Sequence, residues 1–193
     1  MMQMKKTKEI ILAKALEMFN EHGIETAGIR EIARSLSMSP GNVSYYFPSK
    51  TDLITAIFEL FESRQNELLA LSSGISDWNS LKPFLQKSLL LQDEFRCLFI
   101  SIGAIAAVPE LVERTSKLET QRRQQLGTLL KQLPPVHSNN HMDVPLIVRH
   151  LLLSFRFRLL DAQLRPTNKS LQEQHKSFLQ DTRKFLSLFF SLN

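Results

Sequence analysis

Residues 39–50, SPGNVSYYFPSK, confine the backbone more tightly than any other stretch of this chain. Ser39 can accept a hydrogen bond from first-turn amides, and Pro40 falls at the first helical position, where a missing N–H costs nothing and a fixed φ suits the helix. Pro48 discourages continuation beyond Phe47, and Ser49 with Asp52 three residues later reads as the capping box of a new helix. One short helix is therefore bounded on both sides. Val43 and Phe47 stack one turn apart on one side of it, Gly41 and Tyr45 point the opposite way, and Asn42 and Ser44 sit on the shoulders. One face anchors while the other is polar and thin, the pattern of a helix built to enter a DNA groove.

The preceding segment supplies the other half of a motif. Ile29, Ile32, Ala33 and Leu36 form a single apolar stripe, and four residues, 36–39, join it to the short helix, which predicts a helix-turn-helix. An earlier helix carries Ile11, Leu12, Ala15, Leu16 and Phe19 on its inner face and stops at Gly23, a residue able to take the left-handed conformation that closes helix ends. Three helices thus make one small core.

The order and wording of these segments, ILAKALEMFNEHGIETAGIREIARSLSMSPGNVSYYFPSKTDLI, resemble the N-terminal DNA-binding domain of the TetR family of transcriptional repressors. The resemblance covers about the first quarter of the chain. It implies a homodimeric regulator whose larger all-helical remainder binds an inducer and sets the spacing of two DNA heads. The family usually opens its second helix with a pair of Thr or Ser residues on a phosphate, where this chain has Ala27 and Gly28 with a hydroxyl only at Thr26. The family's turn usually holds a Gly where this chain has Ser37, so a residue with a side chain must take the positive φ.

Composition agrees with this reading. With 193 residues and 43% apolar content the chain can bury a sizeable core in one or two domains, and a net charge of +5 suits a polyanionic partner. Charge alone does not find the DNA-binding end, because residues 1–52 hold seven Lys or Arg against six Asp or Glu. Its arrangement is more informative, since no acid lies between Arg34 and Lys50 and residues 5–8 read KKTK, groups that can line phosphates. A single cysteine, Cys97, excludes an internal disulfide and fits a reducing compartment. The N-terminus lacks the apolar stretch of a signal peptide. The longest apolar run, 97–108, is broken by Ser and Gly and falls short of the roughly 20 residues needed to span a bilayer. A soluble cytoplasmic protein with no membrane association is expected.

Beyond Asp52 the pattern stays helical, with no strand-like alternation and no internal repeat. Helices are predicted at 50–71, 80–90, 93–107, 110–132, 144–164 and 170–190, with Pro83 in the first turn of the second. The fold class is all-α: a three-helix helix-turn-helix domain over 1–49, then a larger helical effector-binding and dimerisation domain over 50–193. The helix from Lys50 is shared between head and body. Apolar residues cover more than one stripe of the last two helices, so another surface must cover the excess. Leu152, Leu159, Phe178, Phe185 and Phe189 are the expected dimer contacts, with an ordinary monomer core as the alternative.

For base contact, Tyr45 is the first choice, with Asn42 suited to a bidentate bond with adenine, Ser44 able to donate or accept, and Gly41 letting the backbone approach. The resemblance implies that Tyr46 and Lys50 hold phosphates; Thr26 and Lys6 are further candidates. For Tyr46 the alternative is packing against the first helix. Trp78, Phe84, Phe95, Phe99, Ile102 and Phe155 could enclose an apolar effector cavity, although such aromatics are more often plain core than ligand wall. Arg96, Arg122, Arg123, Arg156 and Arg158 lie on otherwise apolar or neutral helices, and one facing inward would favour an anionic ligand. His137 and His141, four apart with Asp143 nearby, sit among Pro, Ser and Asn in a loop, so no metal is expected there. The chain has no glycine-rich phosphate loop, no Gly-x-Ser-x-Gly elbow and no Cys/His ligand set. Neither a cofactor nor catalysis is expected. The alternatives are a TetR-like DNA-binding protein without a small-molecule inducer, and an all-helical enzyme or carrier with an incidental helix-turn-helix.

Overall fold

The structure, a computed structural model, describes residues 2–136 and 142–192. Among these the chain forms ten helices: α1 Met2–His22, α2 Ile29–Ser35, α3 Pro40–Tyr46, α4 Lys50–Ala70, α5 Trp78–Glu94, α6 Cys97–Ile100, α7 Ile102–Ala106, α8 Pro109–Leu130, α9 Val144–Leu164 and α10 Leu171–Ser187. Extended pairing among the described residues is one isolated antiparallel bridge, where Val136 N donates to Phe189 O and Ser191 N to Pro134 O. None of the helices is long and apolar enough to cross a membrane.

By packing, the chain forms two compact units, Met1–Ser63 with Glu94–Thr115 and Arg64–Asp93 with Ser116–Asn193. This partition differs from the division at residue 49 expected from the motif. The physical reason lies in α4, whose Leu53, Ile57, Phe58 and Phe61 are buried and complete the core begun by Ile11, Ala15, Phe19, Ile32, Ala33, Val43 and Phe47. Phe61 meets Phe95 at 5.6 Å and Phe99 at 5.5 Å, which brings the segment after α5 into the first unit.

Two helix expectations are corrected. The helix expected over 93–107 is broken into α6 and α7, because backbone groups there have partners outside a helical ladder. Cys97 N donates to Asn20 Oδ1 at 3.0 Å, and Asn20 Nδ2 donates to Glu94 O at 2.8 Å. Ser101, at φ −89° and ψ 56°, accepts from Ile24 N and donates to Glu25 Oε2. Pro83 is not in a first turn either. Helix α5 starts earlier, at Trp78, with Asp77 Oδ1 accepting from Ser80 N at 2.8 Å, so Pro83 lies in the second turn and leaves the Asn79 carbonyl without its helical donor. Both residues are exposed, and water can satisfy that carbonyl.

The second unit buries Trp78, Leu81, Leu85 and Leu89 of α5, Leu118, Leu129 and Leu130 of α8, and Ile147, Val148, Leu151 and Phe155 of α9 with Leu179 and Leu186 of α10. Helix α10 is held at its start by a capping box in which Ser170 Oγ accepts from Glu173 N and Glu173 Oε2 accepts from Ser170 N.

Candidate nucleic-acid interface

The turn between α2 and α3 is made by Ser37 at φ 54°, a left-handed conformation held by bonds from Ser37 N to Arg34 O and from Met38 N to Ala33 O. Helix α3 then starts as its sequence demands. Ser39 is extended, its Oγ accepts from Asn42 N at 3.2 Å, and Pro40 occupies the first position. Val43 and Phe47 are buried, which fixes the rotation of the helix about its axis. The opposite face is open: Gly41 and Asn42 are exposed, Ser44 is half-buried and Tyr45 is 69% exposed. The Tyr45 ring is braced edge-on against Tyr46, their centroids 5.1 Å apart. A Cβ at Gly41 would meet nothing within 4 Å, so the fold itself does not require glycine there. The room is available to an approaching partner.

The capping box at the start of α4 also forms. Ser49 N donates to Asp52 Oδ2 at 2.8 Å and Asp52 N to Ser49 Oγ at 3.2 Å. These two caps leave Tyr45 and Asn42 on a short rod fixed at both ends.

The expected phosphate contacts divide. Lys6 is exposed on α1 and Tyr46 is half-buried. Lys50 Nζ donates to Glu25 O at 3.1 Å and lies 6.0 Å from the Phe19 ring centroid; an ammonium has three donors, so two remain for a phosphate. The single O–H of Thr26, an exposed residue, donates to His22 O at 2.6 Å and Gly23 O at 3.1 Å, closing the end of α1. Ala27 is buried. At the start of α2, Gly28 N donates to Glu31 Oε2 at 3.1 Å, so a carboxylate stands where the family resemblance would place hydroxyls on a phosphate.

Two further residues bear on the site, Lys8 of the KKTK group and Asn20, and sequence reasoning missed the second. Lys8 Nζ sits 5.4 Å from the Phe47 ring centroid, beside the end of α3. Its KKTK cluster was the available signal. Asn20, which ties α1 to residues 94–97, had none, because its partners are more than 70 residues away.

The residues expected to enclose an effector do not form one group. Phe95 and Phe99 belong to the first unit with Phe61, and Ile102 is 54% exposed. In the second unit, Trp78 packs under the Arg183 guanidinium at 5.5 Å, whereas Phe84 and Phe155 line a cavity of about 30 Å³ with Gln65, Leu126 and Arg122. Of the arginines, Arg122 is buried and Arg158 is nearly so, paired with Asp93 at 2.8 Å; Arg96, Arg123 and Arg156 are exposed.

Of the expected dimer contacts, Leu152 and Leu159 are only 8% and 6% exposed, covered within the chain. Phe178 is half-buried and meets Phe155 edge-on at 4.9 Å, and Phe185 and Phe189 are half-buried.

His137 and His141 lie outside the described residues. Among the described residues no group of three or more His, Cys, Asp or Glu could hold a metal ion. Cys97 is buried and free, and burial pushes its thiol up to about 12, which leaves almost no thiolate at neutral pH.

With this geometry in view, comparison with known proteins is informative. Residues 11–57 match the family described as "Bacterial regulatory proteins, tetR family". The HTH-type transcriptional regulator AcrR of Shigella flexneri is 36% identical over 62 residues, 32% of this chain and 29% of that protein. The chain spans between 29% and 60% of the length of the curated relatives it matches. Among solved structures, a TetR-family transcriptional regulator from Marinobacter aquaeolei VT8 superposes with a TM-score of 0.85 at 17% identity, covering 96% of this chain and 91% of that one. The SmeT–triclosan complex superposes with a TM-score of 0.67 at 19% identity, covering 96% and 92%. Residues 11–57 thus carry the helix-turn-helix segment of the tetR family, and the all-helical fold around it is that of solved TetR-family regulators.

Proposed function

We propose that this chain is a sequence-specific DNA-binding transcriptional repressor that acts as a homodimer and leaves its operator when a small molecule binds the second unit. One observation carries the DNA reading: α3 buries Val43 and Phe47 while Tyr45, Asn42 and Gly41 project from the opposite face. Base edges in a major groove are read by side chains presented in this way. Dimerisation is supported by α9, where Leu146, Leu153, Phe157 and Leu164 are all exposed at steps of seven, four and seven residues. That spacing puts four large apolar groups, each at least 44% exposed, on one stripe. A two-fold axis there would carry two copies of α3 about 34–36 Å apart, one turn of DNA.

Release follows from linkage. A ligand that binds one arrangement of the second unit more tightly than another shifts the equilibrium between them, and α4 runs from the DNA-binding segment into that unit. SmeT, solved with triclosan, is one protein of this fold with a small-molecule ligand. A second reading, a DNA-binding regulator with no small-molecule inducer, is favoured by the cavity of only about 30 Å³ beside Phe84 and Phe155.

The test is selection of bound sequences from random DNA at two salt concentrations. A palindromic consensus that persists at the higher salt is expected. Binding that is uniform across sequences and vanishes with salt would reject the dimeric reader.

A further inference from the structure

Arg122 on α8 is a buried cation of the second unit, with 8% of its surface exposed. It faces the cavity walled by Phe84, Leu126, Leu152 and Phe155, with Gln65 and Ser88 as neutral polar neighbours. A guanidinium keeps its proton in a protein, so this is a permanent charge in an apolar surround. Its carboxylate partner is Glu119, whose Oε1 accepts from Arg122 Nη1 at 3.2 Å. The same oxygen accepts a shorter bond, 2.7 Å, from Arg156 Nη2. Glu119 and Arg156 are the charged groups that act on Arg122, and burial pulls its guanidinium below the ordinary value. Two guanidinium groups therefore share one carboxylate, which leaves one positive charge beside an apolar cavity.

From this arrangement we infer that the effector is an amphipathic anion: a carboxylate or similar singly charged head that pairs with Arg122, on an apolar body that lies against Phe84, Leu126 and Phe155. The inference rests on the effector reading above and names the chemistry of that site. A planar carboxylate matches the guanidinium fork, and the bond is charge-assisted and shielded from water. Both properties favour an anion over its neutral analogue. At about 30 Å³ the cavity holds no more than a water molecule, so the body of the ligand enters by displacing wall side chains.

The test uses straight-chain carboxylates from butanoate to dodecanoate, each beside the alcohol of equal length, measured by calorimetry and by release of the full-length protein from its selected DNA. At the best chain length the carboxylate should bind roughly tenfold or more tightly than its alcohol, as a charged hydrogen bond in a dry site implies. Arg156→Gln, at a residue outside the cavity, frees Glu119 to neutralise Arg122 and should shrink that preference; Glu119→Gln should widen it. Alcohols that bind as tightly as carboxylates, an Arg156→Gln protein with an unchanged preference, or no binding by either series would overturn the assignment. If carboxylates bind with the stated preference yet leave DNA affinity unaltered, the anion site stands and the inducer reading falls. Should alcohols alone release the DNA, the inducer reading stands and the anion site falls.

Discussion

At the scale of single residues, the proposed DNA face divides into groups expected to read bases and groups expected to hold phosphates. Asn42→Ala should cost about 1–3 kcal/mol of discrimination at one base pair, and Tyr45→Ala should relax base preference, because both side chains project from the open face of α3. Lys6→Ala should weaken all sequences alike and reduce the salt slope by about one, as measured by fluorescence anisotropy across a salt series. These placements were legible in the sequence because they depend only on local spacing: once Val43 and Phe47 are inward, Tyr45 has nowhere to go but out. Thr26 and Lys50 were less legible. Their partners, His22 O and Glu25 O, are set by how the end of α1 closes around Gly23, at φ 84°. Glu31 at the start of α2 leads to a sharper expectation. Gly28→Ser places a hydroxyl at that cap, and its Cβ pushes aside Glu31 Oε2, which would lie 3.0 Å away on an exposed, flexible side chain. DNA affinity should rise by several-fold, about the value of one added hydrogen bond to a phosphate. An unchanged affinity in the same anisotropy assay would place the α2 N-terminus away from the duplex.

At the scale of elements, the helices end where capping chemistry tells them to, and this makes their stability depend on acid. Asp77 and Glu173 accept hydrogen bonds from Ser80 and Ser170, and those bonds hold each carboxyl below its ordinary value, 3.8 for Asp77 and 4.5 for Glu173. The folded state therefore prefers the ionised form. Its contribution is complete above the ordinary values and is lost as pH falls through the lowered ones. Asp77→Ala should lower the thermal midpoint at pH 7, and the gap from the parent protein should close as acid protonates Asp77 in folded and unfolded chains alike. Calorimetric scans at descending pH check this; a gap that persists in strong acid would mean that Asp77 acts through something other than its charge. The caps at Ser39, Ser49 and Ser170 could be read from three-residue spacings, and the bounds of α9 from apolar periodicity. The break between α6 and α7 could not. It arises because Asn20 and Ser101 make hydrogen bonds across more than 70 residues of chain, and no local pattern carries that information.

For the whole molecule, the question is which face of the second unit would meet a copy in the proposed dimer. Apolar excess on α9 and α10 was visible in the sequence, but which stripe of α9 turns inward was not. Leu152 and Leu159 face the core while their neighbours Leu153 and Phe157, 54% and 58% exposed, face out. A helix that is apolar nearly all round gives no phase from sequence, since either stripe could be the inward one. Just past the end of α10, Leu188 is exposed near half-buried Phe185, whose ring lies 6.5 Å from that of His150 on α9, so the open stripe continues across both helices. The two leucines provide opposite tests. Leu152→Ala removes buried methyl groups and should destabilise the fold by about 2–5 kcal/mol, seen as a lowered denaturant midpoint, while the folded fraction stays dimeric. Leu153→Glu leaves the core intact and places a charge on the shared stripe, once in each copy and facing its own symmetry mate. Sedimentation should then report single subunits with the parent protein's unfolding midpoint at low concentration. Affinity for a palindromic site should fall toward that for a half-site. If Leu153→Glu remains a dimer, the two-fold axis lies elsewhere and the spacing of the two α3 helices must be set by another surface.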